Sequence, residues 1–214
     1  ELDIQTYFFN SIIITCVSTL LSVTIVAMAA YVVARMNFKG KGLITLMFST
    51  TLFIPAISIS FPIYRLLGEL GLRNTRIGVI FIYSGLGIAV TYFILQSYFM
   101  SIPKEMEEAA RVDGCGYFGT FFRIILPIAK PGLATAAIMA FLNNWNEFMM
   151  ASTYLSSSKW KTLPFSVLEF TGQYSSNYAV QFAVMALTAA PAVIVYVILN
   201  KHITKGVAMG AVKG

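Results

Sequence analysis

The sequence predicts an all-α integral membrane protein. Of its 214 residues, 57% are apolar and 11% are charged, and the mean hydropathy is +0.76. Soluble domains carry about 25% charged residues. Uncharged stretches of 31, 23, 27 and 31 residues separate Asp3 from Arg35, Lys41 from Arg65, Arg76 from Lys104 and Glu169 from Lys201. Each stretch exceeds the roughly 20 helical residues that cross a hydrocarbon core.

Helices fit these stretches better than strands. A membrane β-barrel alternates apolar and polar residues along each strand, whereas residues 11–15 and 192–197 are runs without alternation. A fifth stretch, residues 131–146, is uncharged up to Glu147 and stays apolar to Leu155. The sequence therefore predicts five membrane-spanning helices, at about residues 10–34, 43–64, 77–100, 131–154 and 178–200.

The distribution of Lys and Arg orients these spans. Ten Lys and Arg residues fall on the side of residues 35–42, 103–130 and 201–214, and five fall on the other side. Cytoplasmic loops carry an excess of Lys and Arg. We therefore expect the 103–130 loop and the C-terminal tail, residues 201–214, in the cytoplasm, and Glu1 outside.

The 103–130 loop has the pattern of two short helices. After Pro103, residues 104–112 combine good helix formers with acidic residues in the first turn. Gly114 then breaks the pattern, and residues 117–126 begin a second helix. The loop is thus predicted to form a helix-turn-helix outside the bilayer.

Aromatic residues are concentrated in the second of these helices. An apolar patch ringed by charges suits a protein partner. The alternative is that some of the rings pack against the ends of the spans. The cluster comprises Tyr117, Phe118, Phe121 and Phe122.

Composition also excludes several functions. Cys16 lies in a predicted span and Cys115 in the 103–130 loop, so the two cysteines form neither a disulfide framework nor a metal site. No phosphate-binding G-x-x-x-x-G-K-[ST] motif is present, since Gly40-Lys41 is followed by Gly42. The +6 net charge is typical of juxtamembrane basic residues rather than of a nucleic-acid groove. We expect membrane lipid, not nucleic acid, as a partner, and no metal or cofactor bound by this chain.

One motif is specific enough to indicate a family. Glu108-Ala109-Ala110, three residues, Gly114, nine residues, Ile124, one residue and Leu126-Pro127 match the EAA signature of ABC importer membrane subunits. Residues 29–40, 145–148 and 206–214 look like the carbohydrate branch, on the side of the maltose and glycerol-3-phosphate permeases. The chain thus resembles a binding-protein-dependent transport system inner membrane component along essentially its whole length. Such subunits usually have six spans, so the resemblance implies a further helix ahead of Glu1 in the full subunit.

The resemblance implies an ABC type I importer permease fold, a multi-pass protein of a bacterial or archaeal cytoplasmic membrane. It implies three kinds of protein partner, namely a second homologous permease, two ATPase subunits or a dimer of one, and an extracytoplasmic solute-binding protein, with membrane lipid around them. ATP and Mg²⁺ would be bound by the ATPase, and the EAA loop would couple its closure to the membrane helices. The coupling residues carried over by the match are Glu108, Ala109, Ala110, Gly114, Tyr117, Phe118, Ile124, Leu126 and Pro127. The small Ala109 and Ala110 predict a close-fitting contact with the ATPase.

A polar segment near the end of the fourth predicted span is a candidate for the translocation path. Glu147 is the one acid within a predicted span, and acids inside membranes are functional-site candidates. A helix from Pro131 would place Asn143 one turn below Glu147 on the same face, with Asn144 and Asn146 beside them. Amide groups suit sugar hydroxyls. The alternative is that these side chains bond between helices, or line a gate, without touching solute.

The C-terminal tail is a second candidate contact for the ATPase. Its glycine content predicts no stable helix, and the tail alone would be read as disordered. The resemblance favours a tail that reaches toward the ATPase pair, with Lys213 and Gly214 as candidate contacts.

Three functions remain open at this point. A transport subunit of a sugar or oligosaccharide importer, which is not itself an enzyme, accounts for most features. A permease of the same superfamily for a polyol, phosphodiester or amino acid is the alternative. An integral-membrane enzyme or ion channel would need a buried nucleophile, metal ligands or a charged filter, and it would leave the EAA loop unexplained.

Overall fold

The computed structural model describes residues 3–169 and 178–211, and all regular secondary structure in these ranges is helical. The predicted all-α class is confirmed. In chain order the helices are α1 (Ile4–Arg35), α2 (Lys41–Thr50), α3 (Ser60–Glu69), α4 (Arg76–Gly85), α5 (Ile88–Ser101), α6 (Glu105–Val112), α7 (Tyr117–Gly119), α8 (Leu126–Ile128), α9 (Lys130–Trp145), α10 (Met149–Tyr154), α11 (Leu163–Glu169) and α12 (Tyr178–Ala211). Short 3-10 turns occur at Ala56–Ile59 and Ser158–Trp160, and a π-helical turn at Thr120–Ile125.

Two helices in the described ranges could each cross a membrane, judged by length and composition. They are α1, with 32 residues, and the Tyr178–Ile198 part of α12, with 21 residues. Two further helix pairs would each pass as one bent span, namely α4 with α5 and Tyr117–Ile128 with α9. The structure thus supports two to four spans, and the predicted count of five is not confirmed.

The segment predicted as the second span, residues 43–64, is not a single helix. Helix α2 ends at Thr50, a 3-10 turn begins only at Ala56, and α3 follows from Ser60. Pro55 accounts for the break. Its ring removes a backbone donor, and the residue before a proline is biased away from helical geometry.

Two other predicted spans are also interrupted. The 77–100 segment is divided between α4 and α5, and the 131–154 segment between α9 and α10. Apolar composition locates such segments, but it does not report where the backbone leaves the helix.

The described helices pack into two units, each with its own core. The first unit comprises the described parts of Glu1–Leu21, Phe53–Leu86 and Ala140–Val197. Its larger core cluster consists of Ile14, Leu67, Val79, Ile82, Tyr83, Met150, Ala151, Tyr154 and Leu155. A smaller cluster joins Tyr7, Trp145 and Leu163.

The N-terminal half of α1 fixes the connection between α10 and α11 by hydrogen bonds. Asn10 Nδ2 donates to the carbonyl oxygens of Lys159 and Lys161, at 3.0 and 2.8 Å. The Leu163 amide donates to Ser11 Oγ at 2.7 Å. Two buried polar side chains of α1 therefore satisfy backbone groups between α10 and the first residue of α11.

The second unit comprises Ser22–Leu52, Gly87–Met139 and the described part of Ile198–Gly214. Its core is formed by Val26, Ala27, Ala30, Tyr31, Val33, Tyr92, Leu95, Tyr98, Phe99, Ile102, Phe121, Ile125, Ala129 and Ala136. The alanines let neighbouring helices approach closely, and the aromatic rings fill the space between them. The EAA motif belongs to this unit.

The C-terminal segment differs from its prediction. The backbone of α12 stays helical from Tyr178 to Ala211, although its glycines predict no stable helix. Extending an existing helix avoids the cost of nucleation, and each glycine costs only about 1 kcal/mol relative to alanine. Lys213 and Gly214, the candidate tail contacts, lie outside the described residues.

Candidate functional site

Helix α6 carries the EAA segment, residues 108–110, and turns its side chains in two directions. Glu108 and Ala109 are exposed, whereas Glu107 is 7% and Ala110 is 4% exposed. Consecutive helical residues point about 100° apart, so the two alanines lie on different faces. The predicted contact of both alanines with a partner is wrong for Ala110, whose side chain is enclosed by its own chain, and remains a prediction for Ala109.

Arg35, the last residue of α1, fixes the start of this helix. Its Nε lies 2.9 Å from Glu107 Oε1, and its Nη2 donates to the carbonyl oxygens of Ile102 and Pro103 at 2.8 and 3.3 Å. Both charged side chains are nearly inaccessible to water. The ion pair therefore joins α1 to α6 at the beginning of the 103–130 loop.

Gly114 ends α6 with a Schellman motif. The Cys115 amide donates to the Ala110 carbonyl at 2.8 Å and the Gly114 amide to the Arg111 carbonyl at 3.0 Å, the bond pattern of that motif. Gly114 has a φ of 80°, in the left-handed region. A glycine is favoured there because a Cβ atom makes this conformation costly.

The aromatic residues of the 103–130 loop divide into one buried ring and three exposed ones. Phe121 is 5% exposed and packs against Tyr31, with ring centroids 4.8 Å apart. Tyr117, Phe118 and Phe122 are 65%, 80% and 49% exposed. Packing against the spans, one of the two predicted alternatives, thus applies to Phe121, and the exposed rings are available for a partner.

The last EAA-motif residues lie where the loop turns into α9. A π-helical turn ends at Ile125, and the short helix α8 starts at Leu126. Ile124 and Leu126 are half-buried, whereas Pro127 is exposed. The Tyr117–Ile128 segment and α9 meet at 77°, so these residues form the corner between the loop and a membrane helix candidate.

In the first unit, the polar segment at residues 143–147 has a geometry different from the predicted one. Helix α9 ends at Trp145 and α10 starts at Met149. Glu147 is therefore not on the same helix as Asn143, and the predicted common face is wrong. Asn143 is exposed, whereas Glu147 is half-buried.

Glu147 is fully engaged with its own chain. Its carboxylate accepts hydrogen bonds from the Tyr83 hydroxyl at 2.5 Å and from the amides of Met150 and Ala151 at 2.7 and 3.1 Å. The two amides belong to the first turn of α10, whose free donors favour a negative charge. The one acid within a predicted span thus caps a helix.

Asn144 and Trp145 are also bound internally. Asn144 is 2% exposed, and its Nδ2 lies 3.2 Å from Ser18 Oγ. Trp145 Nε1 donates to the Thr188 carbonyl at 2.8 Å. The sequence left open that these polar side chains form hydrogen bonds between helices, and Asn144 does so.

Asn146, another member of the candidate set, lines a cavity. This cavity has a volume of about 360 Å³, and its wall includes Phe148, Leu168, Met185 and Thr188. An amide group among apolar and aromatic side chains is an arrangement that binds small ligands. Among the described residues, no group of His, Cys, Asp and Glu side chains could hold a metal ion.

Sequence reasoning missed the partners of the charged residues. Charge spacing marked Arg35 only as the end of a span, and Glu107 stood outside the quoted EAA residues. Tyr83, which bonds to Glu147, gave no signal because apolar stretches contain many tyrosines. The general rule that buried charges are paired would have indicated that such partners exist, but not which residues supply them.

Comparison with known sequences gives the family. Residues 22–209 match the family described as binding-protein-dependent transport system inner membrane component. The chain is 38% identical over 212 residues to the probable ABC transporter permease protein YurM of Bacillus subtilis, covering 99% of this chain and 70% of the relative. It is 33% identical to the trehalose/maltose transport system permease protein MalG of Thermococcus litoralis, covering 100% and 77%. It is 32% identical to the sulfoquinovosyl glycerol transport system permease protein SmoH of Agrobacterium fabrum, covering 97% and 73%.

Solved structures agree on the fold. A chain of a bacterial ABC transporter involved in the import of the acidic polysaccharide alginate superposes with a TM-score of 0.80 at 23% identity, covering 92% of this chain and 74% of that one. A chain of the MetNI methionine ABC transporter superposes with a TM-score of 0.65 at 17% identity, covering 92% and 93%. Taken with the family match over most of its length, the chain belongs to the binding-protein-dependent transport system inner membrane components, the permease subunits of ABC importers.

Proposed function

We propose that this permease subunit serves an importer of a sugar or oligosaccharide. The names of its relatives carry this proposal, since they include transporters of trehalose and maltose, of sulfoquinovosyl glycerol and of arabinooligosaccharides. Like its relatives, the chain is a transport component and not an enzyme. The ATPase that such an importer requires binds ATP and Mg²⁺ and hydrolyses the ATP.

The 103–130 loop is the proposed docking element for that ATPase. Glu108 and Ala109 are exposed on α6, and the exposed rings of Tyr117 and Phe118 follow it. Exposed aromatic side chains beside charges are typical of protein interfaces. The rigid attachment of α6 to α1 through Arg35 supports a role in passing motion to a membrane helix.

The membrane topology is part of the proposal. Five spans in this chain, with the 103–130 loop and the C-terminal end in the cytoplasm, fit the excess of Lys and Arg on that side. In this arrangement the chain pairs with a second permease, and the solute-binding protein approaches from outside. Lys213 and Gly214 remain proposed contacts of the ATPase.

For the solute path we propose Asn146 as the polar contact, because it lines a cavity with Phe148. Replacing Asn146 by Ala removes a donor and an acceptor from the wall of that cavity. We expect a rise in the KM for uptake of about tenfold, as for one lost ligand hydrogen bond. Asn143→Ala is the matched control, since Asn143 is exposed and is not in that wall. Equal uptake kinetics in both variants and the wild type would remove Asn146 from the path.

The transported class is tested with the whole complex. The chain is purified with its partner permease, ATPase and binding protein, reconstituted in proteoliposomes, and assayed for solute-stimulated ATP hydrolysis. A panel of mono- and oligosaccharides, polyols, phosphodiesters and amino acids covers both open solute classes. Stimulation by a saccharide supports the proposal, whereas stimulation by a non-sugar alone would establish the alternative.

A further inference from the structure

Two charged side chains of the second unit are buried together at the C-terminal end of α1. The side chains of Arg35 and Glu107 are 5% and 9% exposed, and Arg35 Nε lies 2.9 Å from Glu107 Oε1. Burial of two ions is costly unless both are paired and hydrogen-bonded. Such a pair is stable only where hydrogen bonds and packing around it compensate both charges.

The contacts of this pair reach both the entry to α6 and its first turn. Arg35 Nη2 donates to the Ile102 carbonyl at 2.8 Å, just before the loop begins, while its Nε binds Glu107 within α6. Tyr31, one helical turn before Arg35, also interacts with Glu107. The last turn of α1 thus holds the residue next to the EAA segment from two directions.

The same turn of α1 contacts the second half of the loop. The Tyr31 ring packs against Phe121 with centroids 4.8 Å apart and against Phe99 at 5.7 Å. Phe121 follows Gly114, whereas Glu107 precedes it. The C-terminal end of α1 is therefore attached to the chain on both sides of the EAA segment.

A second ion pair in the chain provides a contrast. Arg65 and Glu69 lie 3.3 Å apart within one helix, and their side chains are 70% and 63% exposed. Exposed pairs of this type contribute little and connect no separate elements. The exposed pair therefore serves as a matched control, because a Glu→Gln change can be made in it as well.

We propose that Arg35 and Glu107 are positioning residues for energy coupling. The buried pair makes α6 and the C-terminal end of α1 move as one body, so a displacement of the EAA segment by the ATPase is delivered directly to α1. This inference rests on the proposed function of the 103–130 loop. Arg35 and Glu107 lie outside the EAA segment, and we assign them the transmission of motion rather than contact with the ATPase.

The first test uses the complete complex in proteoliposomes. Glu107→Gln keeps the size of the side chain but removes its charge, and we expect the number of solute molecules moved per ATP hydrolysed to fall about tenfold. The measurement is normalised to assembled complex, and Glu69→Gln should retain the wild-type ratio. A wild-type ratio in Glu107→Gln would overturn the proposal. Absence of solute-dependent hydrolysis in the wild type would instead refute the proposed function itself.

The second test replaces the ionic link by a covalent one. Arg35→Cys and Glu107→Cys are combined in a chain whose natural cysteines, Cys16 and Cys115, are changed to Ser. Without cross-linking, this variant should couple about as poorly as Glu107→Gln. A short bifunctional thiol-reactive cross-linker, such as a bis-methanethiosulfonate from which each cysteine displaces methanesulfinate, should raise the coupling ratio severalfold in the same protein, because the two elements move together throughout the cycle. If cross-linking blocks transport, or leaves the ratio unchanged, the elements separate or the link is irrelevant, and the proposal is wrong.

Discussion

At the scale of single residues, Glu147 has a structural role at the start of α10. Its carboxylate accepts hydrogen bonds from the Tyr83 hydroxyl and from two amides of α10. Tyr83 is 1% exposed. An ion inside a membrane protein is tolerated when donors surround it. The three donors stabilise an acid in this otherwise uncharged stretch, so its presence does not require contact with solute.

Glu147→Ala should therefore destabilise the subunit. It leaves two helix-terminal amides without their acceptor and leaves the buried Tyr83 hydroxyl with only the backbone carbonyl of residue 147, 3.2 Å away, at a cost of about 1–3 kcal/mol. Thermal unfolding of the detergent-purified complex should show a clearly lower midpoint. Glu69→Ala removes an acid that is 63% exposed and should leave the midpoint nearly unchanged. An unaltered midpoint for Glu147→Ala together with altered transport would return Glu147 to the solute path.

Gly114 and Gly116 provide a comparison of backbone conformation alone. A Cβ atom at either position would meet no atom within 4 Å, but Gly114 has a φ of 80° and Gly116 a φ of −72°. Valine at positive φ is strongly disfavoured, so Gly114→Val should unravel the end of α6 and reduce ATPase association. Gly116→Val should keep both normal. Co-purification of the ATPase with each variant measures the difference, and equal recovery would show that the left-handed turn is not needed for association.

At the scale of helices, the sequence located apolar stretches well and their interruptions poorly. The charge-free stretch between Asp3 and Arg35 contains α1 almost entirely, because a long apolar run has one stable form in lipid. The breaks near Pro55 and at residues 146–148 depend on local backbone geometry and on side-chain caps such as Glu147. These arise from tertiary contacts, which hydropathy does not encode.

Packing of α9 against α5 gives a test at this scale. A Cβ atom at Gly132 would lie 2.4 Å from Tyr98 Cγ, and Tyr98 is itself 8% exposed. Gly132→Ala should therefore destabilise the complex by about 1–3 kcal/mol through overpacking, despite the better helix propensity of alanine. Gly42→Ala, in α2 with nothing within 4 Å, should be neutral or slightly stabilising. If the unfolding midpoints of Gly132→Ala and Gly42→Ala shift in the same direction, the close approach of Gly132 to Tyr98 is contradicted.

At the scale of the whole molecule, the candidate site was predictable in sequence but not in orientation. The spacing from Glu108 to Pro127 identified the EAA loop, because a motif is read along the chain. Which alanine is exposed, and which charge holds the loop, depends on the rotation of α6 against α1. For the same reason, four polar residues at 143–147 looked like one path but separate into a cap, a buried amide and two exposed amides.

The orientation of the chain in the membrane is the last prediction. If the side richer in Lys and Arg is cytoplasmic, Cys115 in the 103–130 loop must be reachable only from the cytoplasm. In a Cys16→Ser chain, a membrane-impermeant maleimide should label Cys115, which is half-exposed, in inverted vesicles stripped of peripheral proteins by urea. A second chain, Cys16→Ser/Cys115→Ser/Ser158→Cys, places the thiol at an exposed position between α10 and α11 and should be labelled in intact spheroplasts. Reversed labelling of the two chains would invert the topology, and it would put the EAA segment on the wrong side of the membrane for an ATPase.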